Sequence, residues 1–397
     1  MNRNKLVGLG KTLFFIPMPP PYSGPEMVAL LFSKSKIFSN ENYFKFINST
    51  LKRTNKSKGK IEIEGILNFI KLYFVYIKNI IKYDSVFLYI NSNRVGFIRD
   101  SIYILTAYLF NKKIITQYHG GYFHIFYYQQ NWLFRIFIKF ILKKINLLVV
   151  LGESLIKMFD FVSLKQNICV IHNGMDIKNI STGPNRFKNK FPFTILFIGH
   201  LWFTKGFYDL IVSYKSLYGK HGSKIKLIFA GEKMGKSKNI YDFLDNKWKE
   251  YFRINEKNIL NEINGFIENS RIYNAEYLGI IIGNEKKAAF NQANVFVLPS
   301  YTEGFSMACL EALSHGLPVI VGPEGVLADI VEDKRNGFVV PLNSPQIISE
   351  KIEWLMEQPK VCNQIGMRNI ELVKMNFDVD EIALNLKMKI LNLNTLA

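Results

Sequence analysis

The stretch VFVLPSYTEGFSMACLEALSHGLPVIV, residues 295–321, decides the fold. It opens inside NVFVLPS (294–300), a short apolar run ending at a proline, and closes inside LPVIVG (317–322), a second such run. Both have the length and the uninterrupted apolarity of strands buried on two faces. Between them, a turn at Glu303 and Gly304 feeds a helix from about Ser306. Strand, helix and strand in that order require a crossover, and therefore a parallel sheet. In such sheets ligands bind beyond the carboxyl ends of the strands, where loops feed helix N-termini. A helix start offers unpaired N–H groups and the positive end of the macrodipole, which suits an anion. Glu303 stands just before this helix and Glu311 within it; eight residues at helical rise span about 12 Å. Two carboxylates at that separation suit the hydroxyls at the two ends of a molecule whose phosphates lie between them.

The same alternation runs outward in both directions. TLFFIP (12–17), VFLYIN (86–91), KIITQYHG (113–120), LLVVLG (147–152) and NICVIHNG (167–174) read as strands, with helix-length segments at 64–82, 96–110 and 131–145 between them. After a polar, basic stretch rich in turn formers, the pattern restarts with FTILFIG (193–199), KIKLIFAG (224–231) and YLGIII (277–282). A chain of 397 residues is too long for one ordinary core and suits two domains. We therefore expect an α/β chain of two doubly wound domains, over 1–180 and 193–377, joined by a linker over 181–192. A C-terminal helix, 378–397, is expected to pack back on the first domain. Residues 233–270 read as an irregular, charged excursion. The strand-end rule nominates four loops: 19–26 with Gly24, the one after the third strand with His119, 199–206 with Gly199, His200 and Lys205, and 300–311.

Charge separates the halves. Residues 1–190 hold 28 Lys and Arg against 9 Asp and Glu, while residues 191–397 hold 23 of each, so the formal excess of +19 lies in the first half. Such asymmetry points to an anionic partner, a membrane surface or nucleic acid, unless it is compositional drift. The segment FHIFYYQQNWLFRIFIKFILKK (123–144) has the aromatic and basic make-up of an interfacial helix, or of an ordinary helix covering the sheet. No apolar run reaches the roughly 20 residues needed to span a bilayer, and the N-terminus reads as a first strand, not a signal peptide. The three cysteines are far apart and form no CxxC, so neither a disulfide framework nor a zinc site is readable.

The motif from Glu303-Gly304-Phe305 to Glu311-Ala312 resembles the E-x7-E signature of retaining glycosyltransferases of family 4, which have the GT-B fold of two Rossmann-like domains facing across a cleft. The proline and glycine loop at 19–26, His119-Gly120, HNGMD (172–176) and GHLWFTKG (199–206) follow in the same order. The resemblance is close in the second half and loose in the first.

That family likeness implies roles. Lys205 is a point charge on the donor diphosphate, and Glu311 accepts from the ribose hydroxyls. Glu303, with the backbone of Gly304, Phe305 and Ser306, holds the donor sugar and phosphates. His119 lies near the reacting centre, Gly24 lets the first loop approach the phosphates and acceptor, Gly199 and His200 belong with Lys205 to the donor site, and the base lies near 278–281, at Leu278. His200 stands where the family often has Arg.

The implied activity is metal-independent, retaining transfer of a hexosyl group from a nucleotide-diphosphate sugar to a lipid-linked or oligosaccharide acceptor. The setting is bacterial surface polysaccharide or lipopolysaccharide assembly, in the cytoplasm, peripheral on the inner face of the cytoplasmic membrane. No cofactor and no metal are expected. The rivals are a nucleotide-sugar 2-epimerase of the same fold and, from another class, a basic nucleic-acid-binding protein, for which no recognised motif is present. A dinucleotide oxidoreductase lacks its G-x-G-x-x-G.

Overall fold

Two six-stranded parallel sheets organise the chain. The computed structural model describes residues 10–40, 42–50, 63–163, 167–178, 180, 191–233, 241 and 244–395. The contacts divide these into two units, one running up to Asp176 and resuming at Asp378, the other Ile177–Phe377. The expected linker at 181–192 falls, up to residue 190, outside the described residues.

The first unit contains β1 (Thr12–Ile16), β2 (Phe44–Asn48), β3 (Ser85–Tyr89), β4 (Lys113–Gln117), β5 (Leu147–Val150) and β6 (Ile168–Val170), in the spatial order β2-β1-β3-β4-β5-β6. Its central strands are buried because helices cover both faces: every residue of β1 and of β3 is buried, the Thr12 and Ser85 hydroxyls pairing with each other at 2.8 Å. β2 has no place in the sequence reading. It is an edge strand, half exposed, and its FKFIN segment has no continuous apolar run to announce it. The final helix, Val379–Thr395, packs on the Gly24–Lys34 helix and on β4 of this unit. Its start is tied down where the Ser35 hydroxyl donates to Asp380 Oδ1 at 2.6 Å.

The second unit contains β7 (Phe193–Ile198), β8 (Ile225–Ala230), β9 (Ala275–Tyr277), β10 (Val295–Leu298), β11 (Val319–Val321) and β12 (Gly337–Val339), in the order β12-β11-β10-β7-β8-β9. All neighbouring strands in both sheets pair parallel.

Three expectations change. The strand read over 277–282 ends at Tyr277. Gly279 turns the chain at φ +70°, and its carbonyl accepts from Gly231 N–H at 2.7 Å. The irregular stretch read over 233–270 is, from Asn246 to Glu268, one long helix: Asp245 caps it through Trp248 N–H, and Phe252, Ile259, Ile263 and Phe266 bury one face. The loop read over 19–26 stops at Ser23, the N-cap of the Gly24–Lys34 helix, whose first turn holds Pro25 and Glu26.

Candidate active site

Each sheet has one point where chain order reverses and crossovers leave in opposite directions, which is where open α/β sheets open a crevice. In the second sheet that point lies between β7 and β10. Most of the nominated residues of this unit follow one or other of these two strands.

The loop after β10 is pinned to the loop after β7. Tyr301 N–H donates to Thr204 O at 2.9 Å, and Ser300 Oγ donates to the same oxygen at 3.1 Å. Gly206, at φ +71°, makes that approach feasible: a Cβ there would stand 2.0 Å from Pro299 O. Behind the loops, the buried Tyr301 hydroxyl donates to Asp209 Oδ2 at 2.7 Å, and burial pushes the Asp209 carboxyl up to about 6 despite that bond.

Lys205 Nζ meets Glu303 Oε2 at 2.8 Å and Thr302 O at 3.0 Å, with the two side chains 22% and 14% exposed. Glu303 leads into the Met307–Ser314 helix, whose N-cap Ser306 accepts from Cys309 N–H at 3.3 Å. The first turn of a helix leaves N–H groups without intrahelical partners, so a cation, a carboxylate and a helix start converge here. Gly304, Phe305 and Ser306 are buried. Val326 N–H donates to Gly304 O at 2.9 Å, which fastens this turn to the next segment.

Glu311 sits further along the same helix. Its Oε2 is paired with Lys286 Nζ, from the Gly283–Gln292 helix. The sequence reading does not reach Lys286, since no motif or spacing in that helix marks it. Gly199 continues the β7 ladder through its N–H to Ala230 O at 3.0 Å. His200 is exposed, with Nδ1 4.0 Å from Glu232 Oε2. Leu278 lies just past β9, its N–H donating to Phe229 O at 3.0 Å. Among the described residues, no three His, Cys, Asp or Glu side chains gather where they could hold a metal ion.

Gly24 and His119 belong to the first unit. Gly24 opens the Gly24–Lys34 helix, and the next residue's carbonyl, Pro25 O, accepts from the Tyr89 hydroxyl at 3.5 Å. The His119 ring lies against Tyr89, with ring centroids 4.2 Å apart. Both His119 nitrogens are buried and have no hydrogen-bond partner among the described residues. Burial pushes the imidazole down to about 3, so it is neutral at physiological pH.

Comparison with known proteins accords with this geometry. Residues 182–371 match the family model described as Glycosyl transferases group 1. An uncharacterized glycosyltransferase of Methanocaldococcus jannaschii is 27% identical over 187 residues, 47% of this chain and 40% of its own. The capsular polysaccharide biosynthesis glycosyltransferase CapM of Staphylococcus aureus is 23% identical over 264 residues, 62% of each chain. The first three curated relatives are thus matched over less than half of their own length, 40%, 46% and 34%. Among solved structures, Anabaena Alr3699/HepE in complex with UDP and glucose superposes with TM-score 0.68 at 14% identity, covering 96% of this chain and 99% of its own. Sucrose-phosphate synthase from Thermosynechococcus elongatus superposes at 0.67 with 17% identity, covering 98% and 100%.

The fold is GT-B, and residues 182–371 are similar to the group 1 glycosyl transferases.

Proposed function

We propose that the chain is a retaining, metal-independent family 4 glycosyltransferase that moves a hexosyl group from a nucleoside-diphosphate sugar to a lipid-linked saccharide in surface polysaccharide or lipopolysaccharide assembly. The Lys205–Glu303 pair beside the Met307–Ser314 helix start carries this reading. Breaking the anomeric bond builds negative charge on the departing diphosphate, and preorganised donors aimed at that charge lower the barrier. Lys205 leaves Glu303 for the phosphate, the first-turn amides take its other oxygens, and Glu303 turns to the sugar hydroxyls. Glu311, steadied by Lys286, takes the ribose, and the stretch at Leu278 borders the base. The acceptor oxygen bonds to the anomeric carbon on the face the phosphate leaves, and its proton passes to the departing phosphate oxygen. His119 serves the reacting sugar as a neutral hydrogen-bonding group. HepE was solved with UDP and glucose, which favours a uridine nucleotide, and CapM belongs to capsular polysaccharide biosynthesis.

Membrane contact at the inner face of the cytoplasmic membrane draws support from the Trp132–Leu142 helix. It buries Ile138, Ile141 and Leu142 but exposes Trp132, Leu133, Ile136 and Phe140, so its outer face is apolar as well. Lys143 and Lys144 follow at its end, and exposed aromatics with flanking cations suit an anionic interface. No described helix is long and apolar enough to cross a membrane.

The test is thermal unfolding of the full chain with a panel of nucleotide sugars, because a ligand bound only to the native state raises Tm. One or two uridine-diphosphate sugars should protect, and product from a lipid-linked acceptor should keep the donor's anomeric configuration. Protection by none of the panel, or an epimerised nucleotide sugar as sole product, overturns the reading.

A further inference from the structure

The first sheet reverses chain order between β1 and β3, and a cavity of about 190 Å³ opens at that point. Phe15, Leu88 and Tyr89 supply its apolar walls; Glu26, Arg99 and Tyr103 bring polar groups. Arg99 is held by a neighbour. Its Nε and Nη2 donate to Asp100 Oδ1 at 2.8 and 2.6 Å, while Asp100 Oδ2 accepts from the N–H and the amide of Asn91 at 2.9 and 2.8 Å. The buried Asp100 is thereby saturated, and the guanidinium is fixed with Nη1 outside the pair. One helical turn on, Tyr103 is 4% exposed, and its hydroxyl has no partner among the described residues. A buried hydroxyl left unpaired costs about 1–3 kcal/mol, so a group that accepts from it is favoured there.

From these observations we infer that the cavity receives the terminal, uncharged sugar residue of the acceptor, with Arg99, Tyr103 and Glu26 selecting its hydroxyls. This rests on the transferase reading above. Two carboxylates against one guanidinium disfavour a phosphate or an acidic sugar. The unpaired phenol and the guanidinium disfavour a purely apolar guest. A neutral ring with both donor and acceptor hydroxyls, and C–H faces for Phe15 and Tyr89, meets every requirement.

The experiment uses the full chain and a panel of methyl glycosides of the neutral hexoses and N-acetylhexosamines at tens of millimolar. Binding is read by saturation-transfer NMR, and UDP protection against heat is measured in parallel. At least one glycoside should bind, and Tyr103→Phe and Glu26→Gln should each weaken it about three- to tenfold, as loss of one hydrogen bond does. UDP protection should stay as in the parent chain. Absence of glycoside binding, binding indifferent to both substitutions, or inorganic phosphate displacing the glycoside would each overturn the proposal. Glycoside binding without UDP protection would instead leave this pocket standing and remove the donor reading.

Discussion

Lys205 and Glu303 lie 98 residues apart in the chain, yet their charged groups meet at 2.8 Å, because β7 and β10 are neighbours at the point where the second sheet reverses. In the fold each neutralises the other. On the proposed reading, a donor diphosphate replaces Glu303 as the partner of Lys205 and frees the carboxylate for hydroxyls. Lys205→Met therefore removes a charge-assisted hydrogen bond worth about 1.5–3 kcal/mol, and UDP affinity by calorimetry should fall roughly ten- to a hundredfold. Lys205→Arg should recover only part of this, since a planar fork does not reproduce a point charge in a site closed by Thr302 O. Unchanged UDP affinity in Lys205→Met would remove the lysine from the site.

The second carboxylate is steadied differently. Lys286 reaches Glu311 from the Gly283–Gln292 helix, with side chains 25% and 27% exposed. Water screens such a pair, so its loss is worth about 1 kcal/mol or less. If Glu311 holds the donor ribose as proposed, Lys286→Met should raise the donor KM about two- to fivefold with kcat nearly unchanged, because the pair then orients a group that binds donor and transition state alike. Loss of kcat at constant KM would instead place Lys286 in the chemical step.

What can be read from sequence follows from what each residue's neighbours are. Glu303 and Glu311 are legible because strand, turn and helix are consecutive there, and the carboxyl-end rule needs only chain order. Lys286 is not, because its partner is brought to it by sheet order alone. The Asn246–Glu268 helix does carry its signal, Phe252, Ile259, Ile263 and Phe266 at helical spacing, but Lys, Glu and Asn on the other faces dilute it. Arg99, Asp100 and Tyr103 sit in a helix with seven buried positions, so nothing separates a pocket wall from a core face. His119, by contrast, is nominated by its place at the end of a strand, and the fold shows why it is unusual: both its nitrogens are buried and, among the described residues, unpaired.

That burial makes His119 and Asp209 oppose one another in pH. In the unfolded chain His119 binds a proton below about 6.5, whereas in the fold it stays neutral down to about 3. Protons therefore favour unfolding, and stability from this group is lost as pH falls below 6.5. The Asp209 carboxyl runs the other way: raised from 3.8 to about 6, it keeps its proton in the fold, and its contribution is lost as pH rises through that range. Calorimetry between about pH 4 and pH 7 should show His119→Phe flattening the acid-side fall in Tm and Asp209→Asn flattening the opposite slope. Identical slopes in parent and variants would contradict both assignments.

Two glycines at opposite ends of the Phe207–His221 helix give a paired prediction. Gly206 sits at φ +71° between Lys205 and the Phe207–His221 helix, and a Cβ there would stand 2.0 Å from Pro299 O. That contact cannot be relieved by turning a side chain; the β10 loop must retreat, and Glu303 with it. Left-handed geometry alone costs a non-glycine residue about 1–2 kcal/mol, and the displaced carbonyl adds more. Gly206→Ala should lower the transition of the second unit by at least about 4 °C and weaken UDP binding along with it. Gly219 lies inside the Phe207–His221 helix, where a Cβ would meet nothing within 4 Å and φ is not positive. Gly219→Ala should therefore raise the same transition slightly, by about 0.5–1 kcal/mol of helix stability, and leave UDP affinity alone. Equal tolerance of the two alanines would mean that the close approach of the β7 and β10 loops does not hold Glu303 in place.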